Sequence, residues 1–482
     1  MRAVSGLSLI PALPPARPSD EHEKCQTSFD DGSQTLDFDQ FVETSCKIFE
    51  CPILVQVLKM IQQPSKHAKK HGLKHKRKRS DEPHPEGSPN TKPNSHPSLR
   101  LVGFVPDHTR LSITAVYDHH HKLVEILMFK YAYAPIPRTL MKVIALKIPF
   151  TRHLTKFTIK QCRIDMYTIH DLNKILLISN ITDICLDQCP LKEGNYDILL
   201  SDASSLQSLS LSRCNINDVV CERMASRLHH LEPAEPTLLV LNLSSNRITD
   251  VGTKYLAEAL RNNRHLRYLN LSDNQISDYG AKYILDVLAE FPLNTDEIQD
   301  KNSCFKDYLL SKEELYRKYL IDLAIKIETS RRKSSLKRKL SAKKIKVKQE
   351  FEDEMMKIKA RSMALETIGP FEHPFDSTMV TVKEGRSYCI GNFTLCYLNL
   401  RYNNLTYLSV QRLAKVVSHQ KMYRNEKMCG LVNVLLEGNN VPKEVNEYIL
   451  INKDLNKDHA LSKGSIKETD KIKPTGHRNL SK

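Results

Sequence analysis

Aliphatic side chains return in the order L-x-x-L-x-L-x-x-N-x-L twice in succession: in LLVLNLSSNRITDVG from Leu238 to Gly252, and in LRYLNLSDNQISDYG from Leu266 to Gly280, 28 residues later. The inner L-x-L has the period of two of a strand, so Leu241 and Leu243 turn into a core. Val240, Asn242 and Ser244 turn the other way, and in the next unit Tyr268, Asn270 and Ser272 do the same. Asn246 and Asn274 fall where the chain leaves the strand, and an amide there satisfies backbone groups that a buried bend would orphan. Asp250 with Gly252, and Asp278 with Gly280, open helices whose apolar stripes are Leu256, Ala257 and Leu260 in one unit and Ile284, Leu285 and Leu288 in the next. A short strand and a helix in every unit predict an α/β solenoid, with a curved parallel sheet on one side and helices on the convex side.

Weaker copies fit the same template by position. Leu154, Phe157, Ile159, Cys162 and Ile164 match it, as do Ile181, Ile184, Leu186, Cys189 and Leu191, and Leu206, Leu209, Leu211, Cys214 and Ile216. Units therefore start at 154, 181, 206, 238 and 266, in steps of 27, 25, 32 and 28. The pattern restarts at Leu395, Leu398, Leu400, Asn403 and Leu405, and closes with Leu431, Val434, Leu436, Asn439 and Val441. Val124, Leu127 and Phe129, followed by a helix-like run near Leu140 to Leu146, are expected to form a degenerate capping unit. This is the pattern of a leucine-rich-repeat solenoid.

A repeat sheet offers an extended surface rather than a pocket. Its outward positions are Lys156, Thr158 and Lys160, then Ser208, Ser210 and Ser212, then Val240, Asn242 and Ser244, then Tyr268, Asn270 and Ser272, and finally Tyr397, Asn399 and Arg401. Aromatic and Arg side chains among small polar ones suit protein recognition, so this concave face is the candidate binding surface. The phosphate-loop, H-E-x-x-H, C-x-x-C and G-x-S-x-G motifs are absent. No catalytic, cofactor-binding or metal-binding residue is expected. Cys162, Cys189 and Cys214 lie a repeat apart and take the Asn position, which makes them structural. His119, His120 and His121 read as exposed loop residues. His67, His71 and His75 would align on a helix, but Gly72 and the surrounding lysines argue against a cation there.

Composition divides the rest of the chain. Residues 1–98 are expected to be mostly disordered, with FDQFVETSCKIFECPILVQVLKMI (38–61) able to form a short amphipathic docking helix, followed by the basic cluster KHAKKHGLKHKRKRS (66–80). A cap or degenerate repeat spans 99–150, repeats 151–291, an insert 292–393, the last repeats 394–450, and a basic disordered tail 451–482. From Lys312 to about Leu365 the insert has neither Gly nor Pro, the composition of a long solvated helix. Within it Arg331, Arg332, Lys333, Lys337, Arg338, Lys339, Lys343, Lys344, Lys346 and Lys348 are followed by Glu350, Glu352, Asp353 and Glu354. The net charge of +16 is therefore local, and such runs attract acidic polymers in a salt-dependent way. Nucleic acid, tubulin-like acidic tails and anionic membrane are all compatible partners. No apolar run approaches the length of a membrane span. The scattered cysteines favour a reducing compartment.

The pair NLSSNRITDVGTKYLAEALRNNRHLRYLNLSDNQISDYGAKYILDVLAEF resembles the ribonuclease-inhibitor-like leucine-rich-repeat family. The long Lys/Arg/Glu insert, followed by YLNLRYNNL and LLEGNNVP, is more narrowly similar to a family of leucine-rich-repeat proteins of motile cilia. That resemblance implies a non-enzymatic component of the axoneme's central apparatus with axonemal or microtubule-associated protein partners. Residues 66–80 keep a second expectation open: a nuclear adaptor that contacts nucleic acid or chromatin proteins through its basic segments.

Overall fold

The computed structural model describes residues 37–62, 110–334 and 342–455, apart from 203, 426, 427, 443, 452 and 453. Side chains at 330–350 and at 352 lie outside the description. So do the basic cluster 66–80 with its histidines, and the tail beyond 455.

The segment expected as one docking helix forms two elements that belong to the fold, helix α1 (Phe38–Ile48) and strand β1 (Leu54–Ile61). Cys51, at the junction, donates its amide to the Cys46 carbonyl at 2.9 Å and closes the helix. β1 pairs in parallel with β2 (Arg110–Tyr117), although the two are far apart in the chain. β2 turns back into β3 (Leu123–Phe129), their antiparallel pairing being the one departure from a parallel arrangement in this sheet. The turn carries His119, His120 and His121, all exposed, with Asp118 Oδ1 accepting from the amides of His120 and Lys122.

The expected capping frame is off by one residue. β3 lies parallel to β4 (Lys156–Lys160) with Ile126 opposite Phe157 and Met128 opposite Ile159, so Ile126 and Met128 are buried while Leu127 and Phe129 face outward. A one-residue slip exchanges the two faces of a strand, and pairing with the first regular repeat fixes the choice. Helix α2 (Arg138–Lys147) follows β3 and buries Leu140, Met141 and Ile144.

The regular units then stack as predicted. Helix α3 (Met166–Leu177), β5 (Asp183–Cys185), β6 (Ser208–Ser210), α4 (Asp218–Ser226), β7 (Val240–Asn242), α5 (Asp250–Leu260), β8 (Tyr268–Asn270) and α6 (Asp278–Val287) succeed one another. The register aligns Phe157, Ile184, Leu209, Leu241 and Leu269, the central apolar residue of each unit. Between β5 and β6 a 3-10 turn, Tyr196–Leu200, replaces the α-helix and accounts for the short step of 25. Its Tyr196 is fully buried and donates its hydroxyl to the Cys189 carbonyl at 2.8 Å.

After α6 the chain leaves the stack through β9 (Phe291–Pro292) and enters α7 (Thr295–Ser334) and α8 (Ala342–Ile368). The insert is thus two long helices rather than one, packed antiparallel. Tyr319 and Thr367 share a hydroxyl hydrogen bond at 2.8 Å, Tyr308 donates to the Gly369 carbonyl at 3.0 Å, and Leu323, Ala360 and Ala364 are buried between the helices. Beyond its root the hairpin packs mainly on itself. Strands β10 (Val380–Lys383) and β11 (Arg386–Cys389) join β9 in a small antiparallel sheet that closes the insert.

The stack then resumes as if uninterrupted. β12 (Tyr397–Asn399) pairs directly with β8, Leu398 opposite Leu269, and after α9 (Tyr407–Tyr423) β13 (Asn433–Leu435) completes a ten-stranded sheet in the order β1-β2-β3-β4-β5-β6-β7-β8-β12-β13. Asn392 makes the re-entry possible: fully buried, its amide donates to the carbonyls of Leu260 and Asn263, and its oxygen accepts from the amides of Thr394 and Leu395.

Candidate functional site

Two internal ladders hold the sheet rigid beneath its open face. In the first, Asn246, Asn274, Asn403 and Asn439 each donate to a carbonyl of their own unit and to one of the preceding unit; Asn274 Nδ2 reaches Leu271 and Leu243 oxygens, both at 3.0 Å. Cysteine performs half of that task in the early units. Cys214 Sγ donates to the Leu186 carbonyl at 3.0 Å and Cys189 Sγ to that of Ile159 at 3.4 Å, while burial pushes the Cys214 thiol up to about 12 and that of Cys162 up to about 11. These thiols stay protonated donors.

The second ladder runs along the helix N-termini. Asp218 accepts from Thr249 and the Gly252 amide, Asp250 from Ser277 and the Gly280 amide, and Asp278 from Thr406 and Ser409. Each acidic residue therefore caps the helix of the next unit rather than its own, while Thr249, Ser277 and Thr406 cap locally. Burial acts to raise the Asp278 carboxyl, but the hydrogen bonds from Ser409 and Thr406 outweigh it and hold the group below the usual carboxylate range.

The expected outward residues share one face of the sheet. In the first unit Lys156 lies 3.7 Å from Glu125, Thr158 donates to the same carboxylate at 2.8 Å, and Lys160 lies 3.6 Å from Asp187. Ser210 donates to Asp187 at 2.6 Å, Asn242 donates to Ser210 at 2.9 Å, and Ser244 donates to Ser212 at 3.0 Å. Farther along, Asn270 accepts from the Ser272 amide and Asn399 from the Arg401 amide. The rings of Tyr268 and Tyr397 lie 6.1 Å apart on adjacent strands, beside Arg401, which is paired with Glu437 at 2.6 Å. Ser208 and Val240 are half-buried members of the same row.

Sequence reasoning missed the acidic members of this face. Asp183 and Asp187 occupy the outward positions of the second unit, and Glu125 lies across from Lys156. The template that placed Ile184 and Leu186 inward already pointed Asp183, Cys185 and Asp187 outward. The Lys156 and Lys160 charges are thus met locally, and burial of Asp187 is outweighed by hydrogen bonds from Ser210, Cys185 and the Ser212 amide and by Lys160, which lower its pKa. Of the candidate acidic-partner contacts, Arg331, Arg332 and Lys333 fall in the last turn of α7 and Lys343 and Lys344 in the first turn of α8; their side chains, and Lys337, Arg338 and Lys339 altogether, lie outside the described residues.

A face of this kind, repeated strand by strand, defines a repeat-solenoid protein. The Leucine Rich repeat family model matches residues 203–219, 235–257 and 262–285, so these segments are leucine-rich repeats and the solenoid is leucine-rich-repeat-like. Among solved structures, it is similar to the crystal structure of the TLR13-ssRNA13 complex at 18% identity and a TM-score of 0.23; the match covers 33% of this chain and 21% of that one. No curated protein sequence matches it. Among the described residues no helix is long and apolar enough to cross a membrane.

Proposed function

We propose that this chain is a non-enzymatic scaffold whose open sheet face grips a protein partner, in the axoneme of motile cilia at the central apparatus. The observation that carries the gripping role is the continuous row of outward side chains from Lys156 to Arg401, locked in place by hydrogen bonds and ending in the Tyr268–Tyr397 pair. Rigid aromatic anchors lose little entropy on binding, and a polar surround with satisfied hydrogen bonds sets specificity. The axonemal placement is supported by the resemblance of the interrupted repeat pattern to ciliary proteins and by the basic run from Arg331 to Lys348, suited to acidic microtubule-associated surfaces. The basic cluster 66–80 favours the second reading, a nuclear adaptor binding nucleic acid or chromatin proteins.

Proximity labelling in ciliated cells, comparing the wild type with Tyr268→Ser/Tyr397→Ser, separates these outcomes. The expected result is an axonemal partner set that the double variant loses while remaining folded. A partner set unchanged by the variant would remove the gripping role, and one dominated by chromatin proteins would favour the nuclear reading.

A further inference from the structure

Among the described residues, the insert hairpin leaves an organised apolar face without cover. On α8, Phe351, Met355, Ile358 and Leu365 are 67%, 50%, 53% and 48% exposed, whereas Ala360 and Ala364 are fully buried on the side facing α7. The exposed residues, with Ser362 among them, recur in steps of four, three, four and three. This is the a/d seam of a coiled coil, turned away from the helix that α8 already packs against. A helix of 27 residues extends about 40 Å, enough for several such layers.

We propose that this seam joins two copies of the chain, α8 lying antiparallel to α8 of a second copy about a two-fold axis between residues 356 and 357. Charge selects the occupant. With Met355 of one copy against Ile358 of the other, and Phe351 against Ser362, the flanking positions set Glu354 opposite Arg361. The two-fold repeats this pair, so both flanking contacts are attractive. In the isolated chain Glu354 pairs with an exposed neighbour, Lys357 at 3.3 Å, an interaction of little strength. Parallel pairing would match Phe351 with Phe351 and Ile358 with Ile358, but would also set the lysine-rich start of α8, residues 342–348, against its own copy; antiparallel pairing separates the two. The hairpin packs mainly on itself, which leaves room for a second hairpin. None of this depends on what the open sheet face binds.

Sedimentation velocity on the full chain, over a concentration series into the upper micromolar range, tests the pairing. Mass should approach twice that of the monomer, and Met355→Glu/Ile358→Glu should abolish the rise while helix content by circular dichroism stays unchanged. Glu354→Lys and Arg361→Glu should each weaken self-association several-fold, and mixing these two variants should restore it, because only the mixed antiparallel pair sets Lys against Glu and Arg against Glu on its two sides. A wild type that stays monomeric throughout, or a dimer that mixing fails to restore, would overturn the proposal.

Discussion

Replacing Asn274 by alanine removes one rung of the internal ladder and little else. Its oxygen is the acceptor for the Ile248 amide at 3.1 Å, and its amide nitrogen donates to the carbonyls of Leu243, Leu271 and Ser272. The carbonyls do not become orphans: Leu243 keeps Asn246, Leu271 keeps Asn403 and Ser272 keeps the Ser245 amide. The Ile248 amide does. An unsatisfied buried donor costs about 1–3 kcal/mol, and the weakened carbonyl contacts add roughly 1 kcal/mol together, giving about 2–4 kcal/mol. In urea, with a slope of about 2 kcal/mol per molar, the midpoint should fall by about 1–2 M, and exchange of the Ile248 amide proton should accelerate. Asn274→Cys should cost less than Asn274→Ala, since a thiol at that position can still donate to the preceding unit, as Cys214 does. A loss for the alanine variant below about 0.5 kcal/mol, or equal losses for the two variants, would refute the ladder as a source of stability.

Two further outcomes follow from the caps and from the root of the insert. Gly280→Ala should destabilise α6 and its neighbour by about 1–3 kcal/mol in thermal unfolding, because an added Cβ would collide with Asp250 Oδ1 and Ile276, disturbing a carboxylate that caps the helix. At the insert root, burial lowers the pKa of His230 and of His373, against the opposing pull of Glu235 and Asp300 and with Arg264, His265 and Lys301 adding to the lowering. Each imidazole is therefore easier to protonate in the unfolded chain, so their contribution to stability is complete above the ordinary value of about 6.5 and declines as pH falls from there toward the folded-state pKa. Protection factors against hydrogen exchange in residues 371–376, corrected for the intrinsic slowing of exchange in acid, should fall at about pH 5.5 relative to neutrality, and no such change would remove these histidines as the cause.

The repeat period is a local property, and it was legible. Each L-x-L needs only its own alternation to choose a buried side, and the Asn or Cys after it needs only the following bend, so the strands centred on Phe157, Ile184, Leu209, Leu241, Leu269, Leu398 and Val434 could be placed without knowing their neighbours. The outward row followed from the same alternation. Where no template repeats, the sequence left more than one answer. The frame of β3 waited on its register with β4, and the helix or strand choice at Leu54–Ile61 waited on β2, because a short, mostly apolar stretch suits either until a partner edge is offered.

Sequence alone determined that units of one strand and one helix stack into a parallel sheet, and which side chains of the regular units face inward, since both depend on periods written along the chain. Tertiary structure decided how distant pieces meet: that each of Asp218, Asp250 and Asp278 caps the helix of the next unit, that the insert folds back as a hairpin, and that β8 and β12 are neighbours despite the intervening residues. These depend on hydrogen bonds and packing between residues far apart in the chain, and no local pattern records which carbonyl or amide a buried side chain will reach.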